Sequence, residues 1–332
     1  MDSLDEKTFT TSRKLVYRYY ASKPSTFDPS KPTLLLAHGW PDSAQLWRFI
    51  IPHLQKLSYR LVIPDCLGYG GTSKPTDPSL YAGGAMANDL IEILDSEDID
   101  KVIPIGHDWG SMLAQRVYLF HPSRVLGLVM LSVYYNPPVR STSLDVKAIN
   151  QTLEQYFGAP LYAYWELFTT PEGVQLFDQN VERAYYAQHG DDPAWMKKLF
   201  CTYGGMRDFM ISGQPAVDLK PYAANPAIKD PWISKMKAQG FEAPFCWYKA
   251  YTEGHHASLE KNLPENVGSV DVPALWIGGD QDAVCFERKS YQSSEIKDLT
   301  AHEMRDVGHW IPYERPDEVA GFIVEWLKEK GF

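Results

Sequence analysis

Short, unbroken apolar runs recur along the chain, and stretches of helical periodicity separate them. Residues 33–37, 60–64, 101–105 and 125–132 are such runs. Each ends near glycine, proline or another turn former, as at Gly68-Tyr69-Gly70-Gly71. Runs of this length bounded by turns fit strands of a parallel sheet buried on both faces. Residues 15–20 are β-branched and aromatic and predict a first strand or hairpin. Residues 43–57 place Leu46, Trp47, Ile50, Ile51 and Leu54 on one helical face, and 85–94 and 111–120 repeat the pattern. Strand and helix in alternation predict a parallel sheet covered by helices on both sides.

The rhythm changes after Asn136-Pro137-Pro138. From there to about Pro264 the strand runs vanish, Tyr, Trp, Phe and Pro become dense, and the patterns turn helical. Strand character returns at 272–277 and ends at 299–307. Residues 318–330 read as a closing amphipathic helix, with Val319, Phe322, Ile323, Trp326 and Leu327 on one side. There is no internal repeat. The expected organisation is an α/β core made of residues 1–137 and 265–332, interrupted by a mostly helical cap of residues 138–264.

Composition narrows the possible partners. The 332 residues are 44% hydrophobic and 22% charged, with a formal net charge of -10. Nucleic acid attracts clusters of Lys and Arg, and none occurs, so a nucleic-acid partner is not expected. Aromatic residues at 13% leave room for an apolar pocket. Cys66, Cys201, Cys246 and Cys285 form no C-x-x-C pair, so neither a metal site nor a redox motif is expected. The segment Met1-Asp2-Ser3-Leu4-Asp5-Glu6-Lys7 is too polar for a signal peptide. No apolar run is long enough for a membrane span. Lys330-Gly331-Phe332 carries no lipidation or peroxisomal signal. These features predict a cytoplasmic protein with reduced thiols.

Candidate chemistry centres on Ile105-Gly106-His107-Asp108-Trp109-Gly110-Ser111, between a strand and a helix. The segment has the form of a nucleophile elbow, G-x-S-x-G, with Asp108 in the serine position. The helix that follows offers free N–H groups and positive potential, which favour an ionised carboxylate. By itself the pattern also describes an N-cap. A carboxylate nucleophile forms an ester, and hydrolysing that ester calls for a His that activates water and an acid that holds the His. In this type of fold the chain order is nucleophile, acid, His. Gly278-Gly279-Asp280-Gln281-Asp282 and then Gly308-His309-Trp310 supply that order, each after a predicted strand. Both Asp280 and Asp282 qualify by position. His107 neighbours the elbow residue, points to another side and reads as structural. His38-Gly39-Trp40-Pro41 follows an early strand and has the form of an oxyanion loop. The backbone N–H groups of Trp40 and Trp109 would then face one carboxylate oxygen of Asp108.

Together, H-G-W-P at 38–41, G-H-D-W-G at 106–110, Asp282 and G-H-W at 308–310 resemble the epoxide hydrolases of the α/β-hydrolase fold, the soluble type with a helical cap. The resemblance runs from about Lys14 to Leu327. It implies Asp282 as the triad acid, because there a small loop ending in Val follows that acid, as in Asp282-Ala283-Val284. It implies two cap tyrosines as proton donors. Phe245-Cys246-Trp247-Tyr248-Lys249 matches the second and gives Tyr248. The first lies ahead of Pro171 and Gly173, which gives Tyr164, with Tyr162 as the alternative. Ser111 departs from the small Gly or Ala more frequent after the elbow. The implied partners are an apolar epoxide and water, with no cofactor and no metal. Haloalkane dehalogenases resemble the same core motifs, with Trp109 placed to serve a halide, and a non-catalytic binding protein of this fold is a further reading.

Overall fold

The structure, a computed structural model, describes residues 1–140, 144–213, 217–265, 267–285 and 295–332. Its strands are β1 (Leu4–Thr10), β2 (Val16–Ser22), β3 (Thr33–Ala37), β4 (Arg60–Pro64), β5 (Val102–His107), β6 (Leu128–Leu131), β7 (Ala274–Gly279) and β8 (Leu299–Met304). They form one sheet in the order β1-β2-β4-β3-β5-β6-β7-β8. The pairs β1–β2 and β2–β4 are antiparallel, and the remaining neighbours are parallel. This is the mostly parallel, helix-flanked sheet of the α/β-hydrolase fold.

Successive side chains of a strand point to opposite faces, and here both faces are covered. Leu35 and Ala37 of β3 enter one apolar cluster, while Leu34 and Leu36 enter the other. Ala274 and Trp276 of β7 join the first, and Leu275 and Ile277 the second. A continuous apolar run is the sequence form of such a strand.

Three details differ from the pattern in the sequence. β1 was not expected; it is an edge strand whose residues are half-buried or exposed after Leu4, so it carries no apolar run. Residues 43–57 are not one helix but a 3₁₀ turn, Ala44–Phe49, followed by Ile51–Gln55. Pro52 has no N–H to continue an α-helical ladder and fits only a first turn. β6 is shorter than 125–132: Val125 makes a single bridge to Val102 before the strand begins.

Between β6 and β7 the chain leaves the sheet, and its described residues form helices from Val146–Phe157 to His255–Glu260. Both crossings are tied to the helix Trp109–Phe120. Arg116 there is fully buried and pairs with buried Glu260 at 2.9 Å. The guanidinium also donates to the Asn136 carbonyl at 2.9 Å, and Glu260 accepts the Val139 N–H at 2.6 Å. Above β3 the inserted helices meet the core through aromatic rings. Trp40 lies 4.8 Å from Phe168 and 6.0 Å from Tyr248, between ring centroids. No helix among the described residues is long and apolar enough to cross a membrane.

Candidate active site

β5 ends at His107 and the next helix begins at Trp109. One residue must make the turn, and Asp108 does so at φ 56° and ψ -126°. That is strained backbone for a residue with a Cβ. The turn closes because its flanks lack side chains: a Cβ on Gly110 would stand 2.2 Å from the Ala37 carbonyl oxygen. Gly39 is required on the facing loop, where a Cβ would stand 2.3 Å from Asp108 Oδ1. With that space open, the Trp40 N–H donates to Asp108 Oδ1 at 2.7 Å. The side chain of Asp108 remains 14% exposed, toward the cavities described below.

His309 faces it from the loop after β8. Its Nε2 lies 3.4 Å from Asp108 Oδ2, and its Nδ1 lies 2.7 Å from Asp282 Oδ2. The other Asp282 oxygen accepts the N–H groups of Val284 and Cys285 at 3.2 and 3.1 Å. Asp280 instead is exposed, and its side chain accepts the Val307 N–H. The geometry therefore brings Asp282, and not Asp280, to His309.

Charge is distributed unevenly over these groups. Burial alone would drive the Asp108 carboxyl up, but the His309 hydrogen bond and charge, the His107 ring and the Trp109 N–H outweigh it, and its pKa is lowered. Burial opposes a charged His309, yet the Asp282 charge and hydrogen bonds to Asp108 and Asp282 raise its pKa well above the ordinary imidazole value.

His107 faces away from the cavity, as its place beside the elbow predicts. Its Nε2 donates to the His309 carbonyl at 2.8 Å, and the Ser132 hydroxyl donates to the same oxygen at 2.9 Å. Burial brings the His107 pKa down to about 4, so the ring is neutral. These two residues pin the backbone that presents His309. Asp42 braces the next residue, accepting from Trp310 Nε1 and the Tyr313 hydroxyl, each at 3.1 Å. None of Ser132, Asp42 and Cys285 was singled out from sequence, because a buried polar residue looks like an exposed one until the fold encloses it. The Ser111 hydroxyl is accommodated by donating to the Val133 carbonyl at 2.7 Å.

Two cavities meet at Asp108, Tyr164 and Val284. The larger holds about 830 Å³ of empty space, its open mouth included, and the smaller about 270 Å³. Tyr248 and His309 also line the smaller one. The rings of Tyr164 and Tyr248 meet edge to face at 5.8 Å. Burial pushes both phenols well above their ordinary pKa, each raised further by the other residues' charge, Asp108 included. Both are protonated donors at neutral pH. Tyr162 lines only the larger cavity, its ring stacked on Trp165 at 4.7 Å.

Asp282, Cys285 and His309 bring ligand-capable atoms within 4.8 Å of one another. The shortest approach among them is the carboxylate–imidazole hydrogen bond itself, whose proton occupies the place a cation would take. Burial pushes the Cys285 thiol up to about 12, so it is not a thiolate.

The alpha/beta hydrolase fold family matches residues 32–316. The chain belongs to that family. It is 27% identical over 304 residues to bifunctional epoxide hydrolase 2 of Mus musculus, a match covering 90% of this chain and 52% of that protein, so the chain spans about half the length of that relative. It is 26% identical over 310 residues to epoxide hydrolase A of Mycobacterium tuberculosis, covering 90% of this chain and 91% of the other. Among solved structures it superposes on epoxide hydrolase A from Mycobacterium thermoresistibile with a TM-score of 0.79 and 26% identity, covering 98% of each chain.

Proposed function

We propose that this chain is an epoxide hydrolase that opens an epoxide to a vicinal diol through an ester on Asp108. The observation that carries the reading is the pair of protonated tyrosines, Tyr164 and Tyr248, lining one cavity with Asp108 and His309. An opening epoxide makes a strongly basic alkoxide, and a neutral phenol is suited to give it a proton. The relatives' names support the same activity.

In this mechanism the epoxide oxygen accepts hydrogen bonds from Tyr164 and Tyr248. Asp108 attacks a ring carbon, the C–O bond breaks, and a tyrosine protonates the leaving oxygen. The product is a hydroxyalkyl ester. His309, oriented by Asp282, takes a proton from water, and the hydroxide adds to the ester carbonyl. The N–H groups of Trp40 and Trp109 hold the oxyanion, a contribution of ~3–4 kcal/mol per donor. Collapse breaks the ester C–O bond, the departing alkoxide takes the proton from His309 and leaves as the diol, and the remaining water proton returns to the tyrosinate, restoring Asp108 as its carboxylate. The helical insert, residues 138–264, acts as a cap over a core of residues 1–137 and 265–332, and it supplies both tyrosines. A cytoplasmic setting fits the four buried free thiols.

The deciding experiment offers aryl and aliphatic epoxides beside matched haloalkanes and follows diol and halide release. Diol without halide is expected. Halide without diol would transfer the assignment to a haloalkane dehalogenase, and neither product would favour a binding protein of this fold. Asp108→Asn is expected to abolish early turnover, and unchanged initial activity would remove the nucleophile assignment.

A further inference from the structure

Both cavities reach Asp108, but only the smaller one reaches the base. His309 lines it together with Asp108 and is absent from the wall of the larger. In the proposed mechanism the attacking water must touch both His309 and the ester on Asp108, so it occupies the smaller cavity. That cavity admits little more than one water-sized group. The larger admits many, between ring faces and aliphatic side chains such as Trp109, Trp165, Tyr251, Met112 and Ile149. Trp165 lies 5.6 Å from both Trp109 and Tyr251, between ring centroids. Such a wall takes up a long apolar or aromatic frame by contact.

Trp40 and Trp310 close the smaller cavity from the core, and Met196 and Phe200 close it from the insert. Both of the latter belong to the short helix Trp195–Phe200. Phe200 is tied to a proposed proton donor: its ring meets Tyr164 edge to face at 5.0 Å, and its carbonyl accepts the Tyr164 N–H at 3.1 Å. Met196 is half-buried and packs against both apolar clusters. A third cavity, with about 300 Å³ of empty space, shares Met196, His309 and Trp310 with the smaller one. Its other walls include the polar side chains of Gln188, Lys220 and Glu314. Of the three shared residues, His309 is the base and Trp310 is held by Asp42 at 3.1 Å. Met196 is the part of this partition that can change without touching the catalytic groups.

We propose that the substrate is an epoxide with one arm no larger than a methyl group and a second arm that is long and apolar or aromatic, and that Met196 sets the limit on the short arm. The proposal rests on the epoxide-hydrolase reading of the site. The ring lies where the cavities join, at Asp108 and Tyr164, and the long arm runs into the larger cavity. A bulky second arm would enter the smaller one, overlap Met196 and displace the water that His309 activates. Alkylation and ester hydrolysis would both suffer.

The test compares isomeric straight-chain epoxides, with the ring at or next to the chain end or at its middle. The isomers expose similar apolar area, so overall hydrophobicity does not separate them. The wild-type protein is expected to favour the end isomers in kcat/KM by about tenfold or more, the scale on which a closed pocket discriminates by methylenes. Met196→Ala joins the smaller cavity to the one beyond and should bring the ratio close to one by raising the mid-chain rate. Met196→Val, a milder truncation, should move the ratio the same way and keeps the test open if the alanine variant fails to fold. Met196→Leu conserves volume and should keep the preference; melting temperatures establish which variants fold. Equal kcat/KM for end and mid-chain isomers in the wild type, or a preference that truncating Met196 leaves unchanged, would overturn the proposal. The vicinal diols of both isomers are titrated calorimetrically. If no epoxide is opened but the end diol binds more tightly than the mid-chain diol, and truncating Met196 removes the difference, the arm limit stands and the failure lies in the epoxide reading. Equal binding of the two diols to the wild type with no turnover would overturn the arm limit as well.

Discussion

His309 Nδ1 stands 2.7 Å from Asp282 Oδ2, while the other ring nitrogen stands 3.4 Å from Asp108. One imidazole is thus held between two carboxylates, and its pKa is raised well above the ordinary value. The two carboxylates favour the charged imidazole in the free protein. In the proposed mechanism, esterifying Asp108 would remove one of the two charges, so the imidazole's pKa should fall and it should become a better base once an ester is present. Ester hydrolysis then slows as pH drops through that lowered value. Alkylation would need an ionised Asp108, whose pKa is held low, and protonated tyrosines, and mild acid removes neither. Moving from neutral pH to ~5, below the ordinary imidazole value, should raise the fraction of protein carrying the ester in acid-quenched mass spectra. His309→Gln should carry it at every pH. A fraction that is flat or falling with acidity would contradict this division of labour.

In the proposed mechanism the tyrosines would act in the first half-reaction alone. Tyr248→Phe and Tyr164→Phe should each slow alkylation in single-turnover experiments by roughly ten- to a hundredfold, and the double variant by ~10²–10⁴-fold, the usual range for a general acid. Ester hydrolysis should be nearly unchanged in all three. If hydrolysis slowed as much as alkylation, the phenols would be shaping the site rather than giving a proton to the leaving oxygen.

The sheet and the elbow were legible in the sequence because they rest on local patterns. β3 and β4 coincide with their apolar runs, since strands buried on both faces have no polar positions to blur the edges. Asp108 stands out because it follows a strand and sits between Gly106 and Gly110, and His309 because it follows the last strand next to Gly308. The choice of Asp282 over Asp280 needed the resemblance, since two carboxylates two residues apart differ only in where the loop aims them. His107 and Ser132 fixing the His309 carbonyl, Asp42 holding Trp310, and Arg116 spanning both chain crossings were not legible. Each joins residues distant in sequence, and nothing local in the chain records such a pairing.

Asp42 ties the site to acid stability. Burial raises its carboxyl to about 6, against the Tyr313 and Trp310 donors and the Lys235 and Arg48 charges that oppose the rise. An unfolded Asp titrates near ~3.9. The folded state therefore holds this proton more tightly. The stability that follows is present in acid and is lost as pH climbs from roughly 4 to 6. Asp42→Asn cannot titrate. Its melting temperature relative to wild type should become more favourable by several degrees across that window, and a constant difference would mean that the carboxyl titrates equally in both states.

Arg116 and Glu260 form a fully buried, bidentate pair at the two crossings into the helical insert. Burial opposes the Glu260 charge, but Arg116 and His256 hold its pKa down at about 2. Removing one partner leaves the other charged and fully buried, which typically costs ~3–5 kcal/mol, whereas replacing both with apolar side chains is often close to neutral. Arg116→Met should therefore lower the unfolding free energy by about that amount, and Arg116→Met with Glu260→Leu should recover much of it. The double variant also loses the bonds to the Asn136 carbonyl and the Val139 N–H, which fix the insert's entry into the core. If those bonds set the position of the insert, the double variant should regain stability while KM stays raised, because the tyrosines ride on the insert and Asp108 does not. Full recovery of both stability and KM would reduce the pair to a replaceable piece of core.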